Sequence, residues 1–394
     1  MATHCQRTCA DLFGVIELTI LQMSRTKILV DARLLNKRAT GISRYTEELI
    51  ASYILKYGKA NVGIVVNDRY WVDKYENVCV VKYKPFNILD FVGFYFYIKR
   101  RTWQIFHSTS YSGLLLKIPG RITIITVHDL TYKLIKNYFS ESRFLNELAK
   151  VVFDFIVDNS IKNANVIIAV SKTTSQDVMR IYRRVSLIVP EGINLLPQTT
   201  IALSDFKRLG LERKRYFLYV GNLRKNKNIP FMINCFIKSN SPHKLVIAGS
   251  NSQVDIDKNP KASNVQFIGY VTDEELKELY QNCIAFVFPS TYEGFGLPVL
   301  EALNNGAAVL CSNGGALREF SSTIVNFFDP HNPDSLIKLF KQESFEVDRM
   351  LILKELNRYN WVTNFKKMHH DIEEIITLNR EQRSDIVLTN GVHK

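Results

Sequence analysis

The sequence predicts an α/β protein of two domains. Short apolar runs that read as buried parallel strands recur along the chain, as in KILVDA, RITIITV, KLVIAG and CIAFVFPS. Helical patterns alternate with them, which is the order of βαβ units. At 394 residues the chain has the length of two ordinary domains. A hydrophobic content of 46% beside 23% charge fits a packed, water-exposed protein.

The most informative stretch is TYEGFGLPVLEALNNG, residues 291–306. It lies between the apolar runs CIAFVFPS and AAVLC, so it forms a strand–loop–helix–strand crossover. Pro298 suits a first helical turn, and Gly306 after two asparagines suits a left-handed stop. The helix therefore spans about Leu297 to Asn304, with Gly294, Phe295 and Gly296 feeding its amino end. Free backbone N–H groups and the positive dipole end suit phosphate there. Glu293 stands before this cradle, at the carboxyl end of a strand, and Glu301 about one turn behind it.

These two glutamates, with seven residues between them around GFGLPVLEA, resemble the signature of glycosyltransferase family 4. Its members are retaining enzymes with two Rossmann-like domains facing a cleft, the GT-B fold. The resemblance extends over about residues 25–375, with its firmest motifs in the second half.

Residues 1–23 read as an extension outside the fold, because the first strand starts at Ile28. Residues 24–190 form the acceptor-side domain. KILVDA is a strand, and ISRYTEELIASYIL a helix with Ile42, Tyr45, Leu49 and Tyr53 on one face. VGIVVN and VCVVKY are further strands. Gly41 starts the helix and Arg44 lies in its first turn. The resemblance places this glycine opposite the donor phosphates, and Arg44 is counted with it among the donor-binding residues. FNILDFVGFYFYIKRRTWQIF (86–106) reads as a core-packed helix with a solvated basic end, the other reading being an interfacial element at a membrane. RITIITVHDL ends at His128, a position the family puts near the donor sugar. A long helix covers 141–163, and Ser171 caps the next one with Thr174 beside it.

IVPEGIN (188–194) resembles the family's crossing between domains, and 191–214 is the linker. The second domain, 215–358, binds the nucleotide sugar. Its first strand ends at Gly221, and Lys227 is placed to reach a diphosphate as a point charge. Where the family carries an arginine, this chain has Asn222 and Asn226, so Arg224 or Lys225 takes that part. Thr272 and Glu275 form a capping box. SNGGALREF opens another helix. Beyond Asp329-Pro330 the chain is helical to about Thr377. Residues 359–378 cross back to the first domain, anchored by Trp361, and 379–394 form a polar tail. Asp255 and Asp257 sit in a polar loop, and no metal is expected.

The charge of +13 is uneven. Residues 1–190 hold 27 Lys+Arg against 15 Asp+Glu, and the remainder is near balance. Such a half favours anionic partners such as a membrane surface or a lipid-linked phosphate. No nucleic-acid recognition module is present. The six cysteines form no C-x-x-C pair and read as reduced thiols. No apolar run reaches ~20 residues, so no span is predicted. The expected location is cytoplasmic, peripheral on the inner face of the membrane.

The resemblance implies transfer of a hexose from a nucleotide sugar, GDP-mannose being the donor expected, to a glycan or lipid-linked acceptor in polysaccharide or lipopolysaccharide assembly. No separate cofactor is expected. The details VDAR…TGISRY, TVHDL and SNGGALRE look most like bacterial mannosyltransferases. Glu301 would take the ribose. Glu293 and the backbone of Gly294, Phe295, Gly296 and Leu297 would hold the sugar. Lys227 and Arg224 would meet the diphosphate, and His128 would face the reacting ring. Two rivals stand beside this: a phosphorylase or epimerase of the same fold, and a non-catalytic nucleotide-sugar-binding protein.

Overall fold

The computed structural model describes residues 27–37, 40–136, 138–140, 142–193, 210–249 and 263–390. The extension 1–23, most of the linker, Asp255 and Asp257 lie outside them.

Two all-parallel sheets organise the chain. In the first, β1 (Ile28–Asp31), β2 (Val62–Val66), β3 (Val78–Val80), β4 (Ile105–Ser108), β5 (Ile122–Val127), β6 (Val166–Ala169) and β7 (Leu187–Ile188) lie in the order β3-β2-β1-β4-β5-β6-β7. In the second, β8 (Tyr216–Val220), β9 (Lys244–Ala248), β10 (Val265–Gly269), β11 (Ala285–Phe288), β12 (Val309–Ser312) and β13 (Asn326–Phe328) lie in the order β10-β9-β8-β11-β12-β13. Strands β1, β4, β6, β11 and β12 are buried along their whole length. That is why β1, β6, β11 and β12 read as apolar runs rather than alternating ones, whereas β4 carries the buried polar pair His107 and Ser108. Each sheet reverses its strand order once, between β1 and β4 and between β8 and β11. Crevices at the carboxyl ends of such strand pairs are where open α/β sheets bind ligands.

The helices cover both sheets. Helix α1 (Gly41–Tyr57) buries Tyr45, Leu49 and Tyr53, and Thr40 caps it by accepting from the Ser43 N–H. Helix α2 is Ile88–Lys99, α3 is Arg143–Asn163 and α4 is Lys172–Tyr182. In α4 the Ser171 side chain accepts from the Thr174 N–H. The second domain carries α5 (Ile229–Ser239), α6 (Asp273–Asn282), α7 (Leu297–Asn304), α8 (Pro333–Phe340) and α9 (Arg349–Leu356). The Thr272–Glu275 capping box forms on α6. Cys235, Cys283 and Cys311 are buried and, like Cys79, free.

The sequence missed some elements. Residues 86–106 are not one helix: α2 ends at Lys99, and Ile105–Ser108 is the fully buried strand β4. Four residues continuing an aromatic run leave too little period to separate the two. The GGALREF segment makes only a 3₁₀ turn, Gly315–Glu319, because Phe320 is extended. The last helix, α10, runs from Trp361 to Asn390 instead of ending near Thr377. Its start returns to the first domain. Trp361 is buried, with its ring 5.9 Å from Tyr45 and 5.3 Å from Phe365. Gly192 makes room for it, since a Cβ there would stand 2.6 Å from the Trp361 nitrogen.

Candidate active site

The loops that follow β8 and β11 flank the switch point of the second sheet, and they carry one residue each toward a shared contact. Lys227 Nζ lies 2.6 Å from Glu293 Oε1, and both side chains are largely covered. Asn226 ties the same loops together: its carbonyl accepts from the Thr291 N–H at 2.8 Å and its Nδ2 donates to the Tyr292 carbonyl at 3.2 Å. From the other side the Glu293 carbonyl accepts from the Ala316 N–H at 2.9 Å. Gly315, at φ +58°, is what lets that turn pass close: a Cβ would meet Glu293 O at 2.5 Å. Helix α7 then begins at Leu297, with Gly296 as its cap at φ 125° and Pro298 in its first turn. Neither the cap nor the turn supplies a side-chain acceptor for the first N–H groups. Pro298 has no N–H and Val299 donates its own to the Gly296 carbonyl at 2.9 Å, so the donors left at this end are those of Gly296 and Leu297.

The first domain closes on this loop. Gly41 abuts Leu297, whose Cδ1 would be 3.5 Å from a Cβ on the glycine. Arg44, one turn into α1, crosses the cleft to pair with Glu301 and with Asp273 at 3.0 Å. Thr174 Oγ1 donates to the Gly294 carbonyl at 3.2 Å. The Tyr292 hydroxyl donates to Asp177. Glu319 accepts from the backbone N–H of Lys172 and Thr173 at the start of α4, at 3.1 and 2.7 Å. Arg224 donates to the Tyr138 hydroxyl at 3.1 Å.

His128 sits at the carboxyl end of β5, 7% exposed. Its Nε2 donates to the Thr109 carbonyl at 2.9 Å, and its Nδ1 lies 2.8 Å from Glu191 Oε1. Both partners accept only, so the ring meets them best with both nitrogens protonated. Burial alone would lower the histidine's pKa. The Glu191 carboxylate and the Thr109 carbonyl outweigh it and hold the pKa above its ordinary 6.5. The charged pair therefore stabilises the fold fully below about that pH. Its contribution fades as pH rises through the higher folded value. Glu191→Gln is expected to lower stability by ~1–3 kcal/mol at about pH 6 and by progressively less toward about pH 9. Thermal melts across that range check this, and an equal loss at every pH would mean a neutral ring.

The sequence-derived site residues thus converge on one cleft, with differences in detail. Lys227 and Arg44 do not stand free toward a phosphate; each is engaged by a carboxylate. The His128 ring is turned into the first domain, and it is the His128 backbone that touches the loop of Gly294. Phe295 is buried against Phe320 and Tyr359, so only its backbone faces the cleft. Asn226 is a loop tie rather than a stand-in for a cation. Glu191, Asp273, Asp177 and Glu319 were overlooked. Glu191 alone left a trace, as the single acid in the otherwise uncharged IVPEGIN. Among the described residues no group of three or more His, Cys, Asp or Glu side chains is arranged to hold a metal ion.

Residues 203–343 match the family model for glycosyl transferases group 1. The chain is 25% identical over 258 residues to O-antigen chain mannosyltransferase B of Escherichia coli, covering 60% of this chain and 66% of that protein. It spans just under two thirds of that relative's length. To O-antigen chain mannosyltransferase RfbU of Salmonella typhimurium it is 24% identical over 324 residues, covering 78% and 88%. Among solved structures, Anabaena Alr3699/HepE in complex with UDP and glucose superposes with a TM-score of 0.67 at 15% identity, covering 89% of this chain and 100% of that one. At that identity the likeness is one of fold.

Proposed function

We propose that this chain, a glycosyltransferase of the GT-B fold related to bacterial mannosyltransferases, moves mannose from GDP-mannose to a glycan or lipid-linked acceptor in polysaccharide or lipopolysaccharide assembly, with retention of configuration. The observation that carries this is the bracketing of one helix amino end by two ion pairs, Lys227–Glu293 ahead of it and Arg44–Glu301 behind. A sugar–diphosphate–ribose chain laid over the amino end of α7 meets a matching group at each station. The N–H groups at Gly296–Leu297 and the Lys227 ammonium take the diphosphate, and Arg224 reaches it from the rim. Glu301 accepts from the ribose hydroxyls, Arg44 remaining on Asp273. Glu293, released by Lys227, accepts from the sugar hydroxyls.

Chemistry follows from where charge develops. As the bond from the anomeric carbon to the β-phosphate oxygen breaks, negative charge grows on that oxygen, beside the helix dipole and Lys227. The acceptor hydroxyl attacks on the same face, and its proton passes to the departing phosphate oxygen. His128 holds the loop against the first domain through its backbone, while its ring is fixed by Glu191 and Thr109.

A thermal-shift panel of nucleoside diphosphates and their sugars tests the donor. GDP and GDP-mannose are expected to stabilise most, by ~2.7 kcal/mol at about a hundred times Kd. Stabilisation by uridine nucleotides alone would remove GDP-mannose as donor. Product analysis then separates transfer from phosphate-dependent cleavage or isomerisation of the donor.

A further inference from the structure

Beneath α1 the core holds a polar chain that the chemistry above leaves without a role. The Tyr45 hydroxyl lies 2.9 Å from Thr126 Oγ1 on β5. Thr126 Oγ1 lies 2.8 Å from His107 Nε2 on the neighbouring strand β4, and His107 Nδ1 lies 2.8 Å from the Tyr53 hydroxyl. The chain thus leaves α1 at Tyr45, crosses two strands and returns to α1 at Tyr53. All four side chains are at most 1% exposed. Burial pushes the His107 pKa down to about 3, so the ring is neutral. A neutral imidazole has one N–H and one lone pair, and each hydroxyl can both donate and accept. Every link is therefore made without a charge.

Apolar side chains of the same shape would hold a helix to a sheet about as firmly, because a buried hydrogen bond adds little net stability once desolvation is counted. What a satisfied buried chain adds is a fixed geometry. Tyr45 and Tyr53 lie on one face of α1, separated by about 12 Å along its axis. One pin fixes a point; two fix both the axial position and the rotation of the helix. From outside, α10 clamps the same two residues. Trp361 and Phe365 pack edge-on against Tyr45 at 5.9 and 5.6 Å, and the His369 ring lies 4.9 Å from that of Tyr53.

This pinning delivers the amino end of α1 to the cleft. Arg44 adjoins Tyr45 and pairs with Glu301 and Asp273 of the second domain. Gly41 abuts Leu297 at the start of α7. The Tyr45 ring also stands edge-on to the His128 ring at 4.8 Å. A slide or rotation of α1 by on the order of 1 Å would carry Arg44 off its carboxylates, and a reaction held between two domains tolerates little more than that.

We propose that His107 is a positioning residue for the transfer: through Thr126 and Tyr45 on one side and Tyr53 on the other it sets the rotation of α1, and so the bridge that Arg44 makes across the cleft. This role rests on the sugar transfer proposed above.

The test is a double-mutant cycle in the full chain. His107→Leu is expected to lower kcat by about tenfold, while the Kd for nucleoside diphosphate stays within about twofold of wild type, because that ligand sits mainly on the second domain. His107→Gln, which keeps a donor and an acceptor, should recover most of the lost kcat. Arg44→Gln should lower kcat by itself, and adding His107→Leu to it should cost less than about twofold more, since both changes act on one bridge. Wild-type kcat in a folded His107→Leu, an equal loss in His107→Gln, or the same loss persisting in the Arg44→Gln background each overturns the proposal. Should His107→Leu fail to fold, Tyr45→Phe takes its place in the cycle. It removes one oxygen from the chain, and its loss of kcat should likewise vanish in the Arg44→Gln background; unchanged kcat would overturn the role. Failure of the GDP-mannose reading would appear in the wild type, in the nucleotide panel, before any variant is compared. The cycle is then run with the sugar nucleotide that the wild type turns over.

Discussion

Glu293→Gln is expected to slow sugar transfer by about 10²-fold or more while binding nucleoside diphosphate within about threefold of wild type. Glu301→Gln should show the reverse pattern. Glu293 lies in the loop after β11 and touches Lys227 and, more weakly, Asn226. Replacing it leaves the amino end of α7 intact and unburdens the Lys227 ammonium, so the diphosphate keeps its partners. What is lost is the carboxylate that fixes the sugar hydroxyls, an interaction that matters when the ring must hold its place in the transition state. Glu301 lies on α7 itself, and its proposed ribose contacts persist from ground state to transition state. Losing charge-assisted hydrogen bonds there costs ~1.5–3 kcal/mol of affinity for diphosphate and donor alike. Binding that is uniform along the reaction shows as a KM that rises more than kcat falls. Calorimetry with the nucleoside diphosphate, beside initial rates with the donor, reads both. Equal loss of nucleotide affinity in the two variants, or unchanged turnover in both, would mean the donor does not lie over α7 in this direction.

Much of this site was legible because one crossover carries its own punctuation. Pro298 starts α7 and Gly306, at φ +79°, ends it, so the helix runs Leu297–Asn304 as the sequence indicates. The position of Lys227 relative to Glu293 was less accessible. Those residues are 66 apart in sequence, and only the strand order, which puts β8 next to β11, brings their loops together. The same holds for Arg44 and Glu301, joined across two domains. Local pattern could place each side chain on its own loop or helix. It could not show that each cation would be met by a carboxylate, because that depends on how far the domains close. Strand β4 escaped for a different reason: four residues at the end of an aromatic run have no measurable period.

Gly294→Ala should abolish most transfer, by about 10²-fold or more in kcat, without unfolding either domain. The added Cβ would stand 1.7 Å from the His128 carbonyl oxygen and 2.7 Å from Asp129 Cβ. Both obstacles belong to the other domain, and one is backbone, which cannot swing aside. The glycine itself is not in the left-handed region, so alanine fits its conformation and each domain folds as before. Nor can the loop retreat easily. The Glu293 carbonyl is held by Ala316, and the Gly294 carbonyl by Thr174. The strain is relieved by parting the domains by on the order of 1 Å, enough to spoil an attack that needs reacting atoms at ~3–3.5 Å. Nucleoside diphosphate binding, seated mainly in the second domain, should persist. Gly315→Ala provides the contrast: at φ +58°, with Glu293 O only 2.5 Å from its Cβ, it strains the second domain itself and should lower nucleotide affinity as well. Calorimetry, melting curves and single-turnover transfer distinguish the two. Wild-type turnover by Gly294→Ala would show that the juxtaposition of Gly294 with His128 is not the arrangement in which sugar moves.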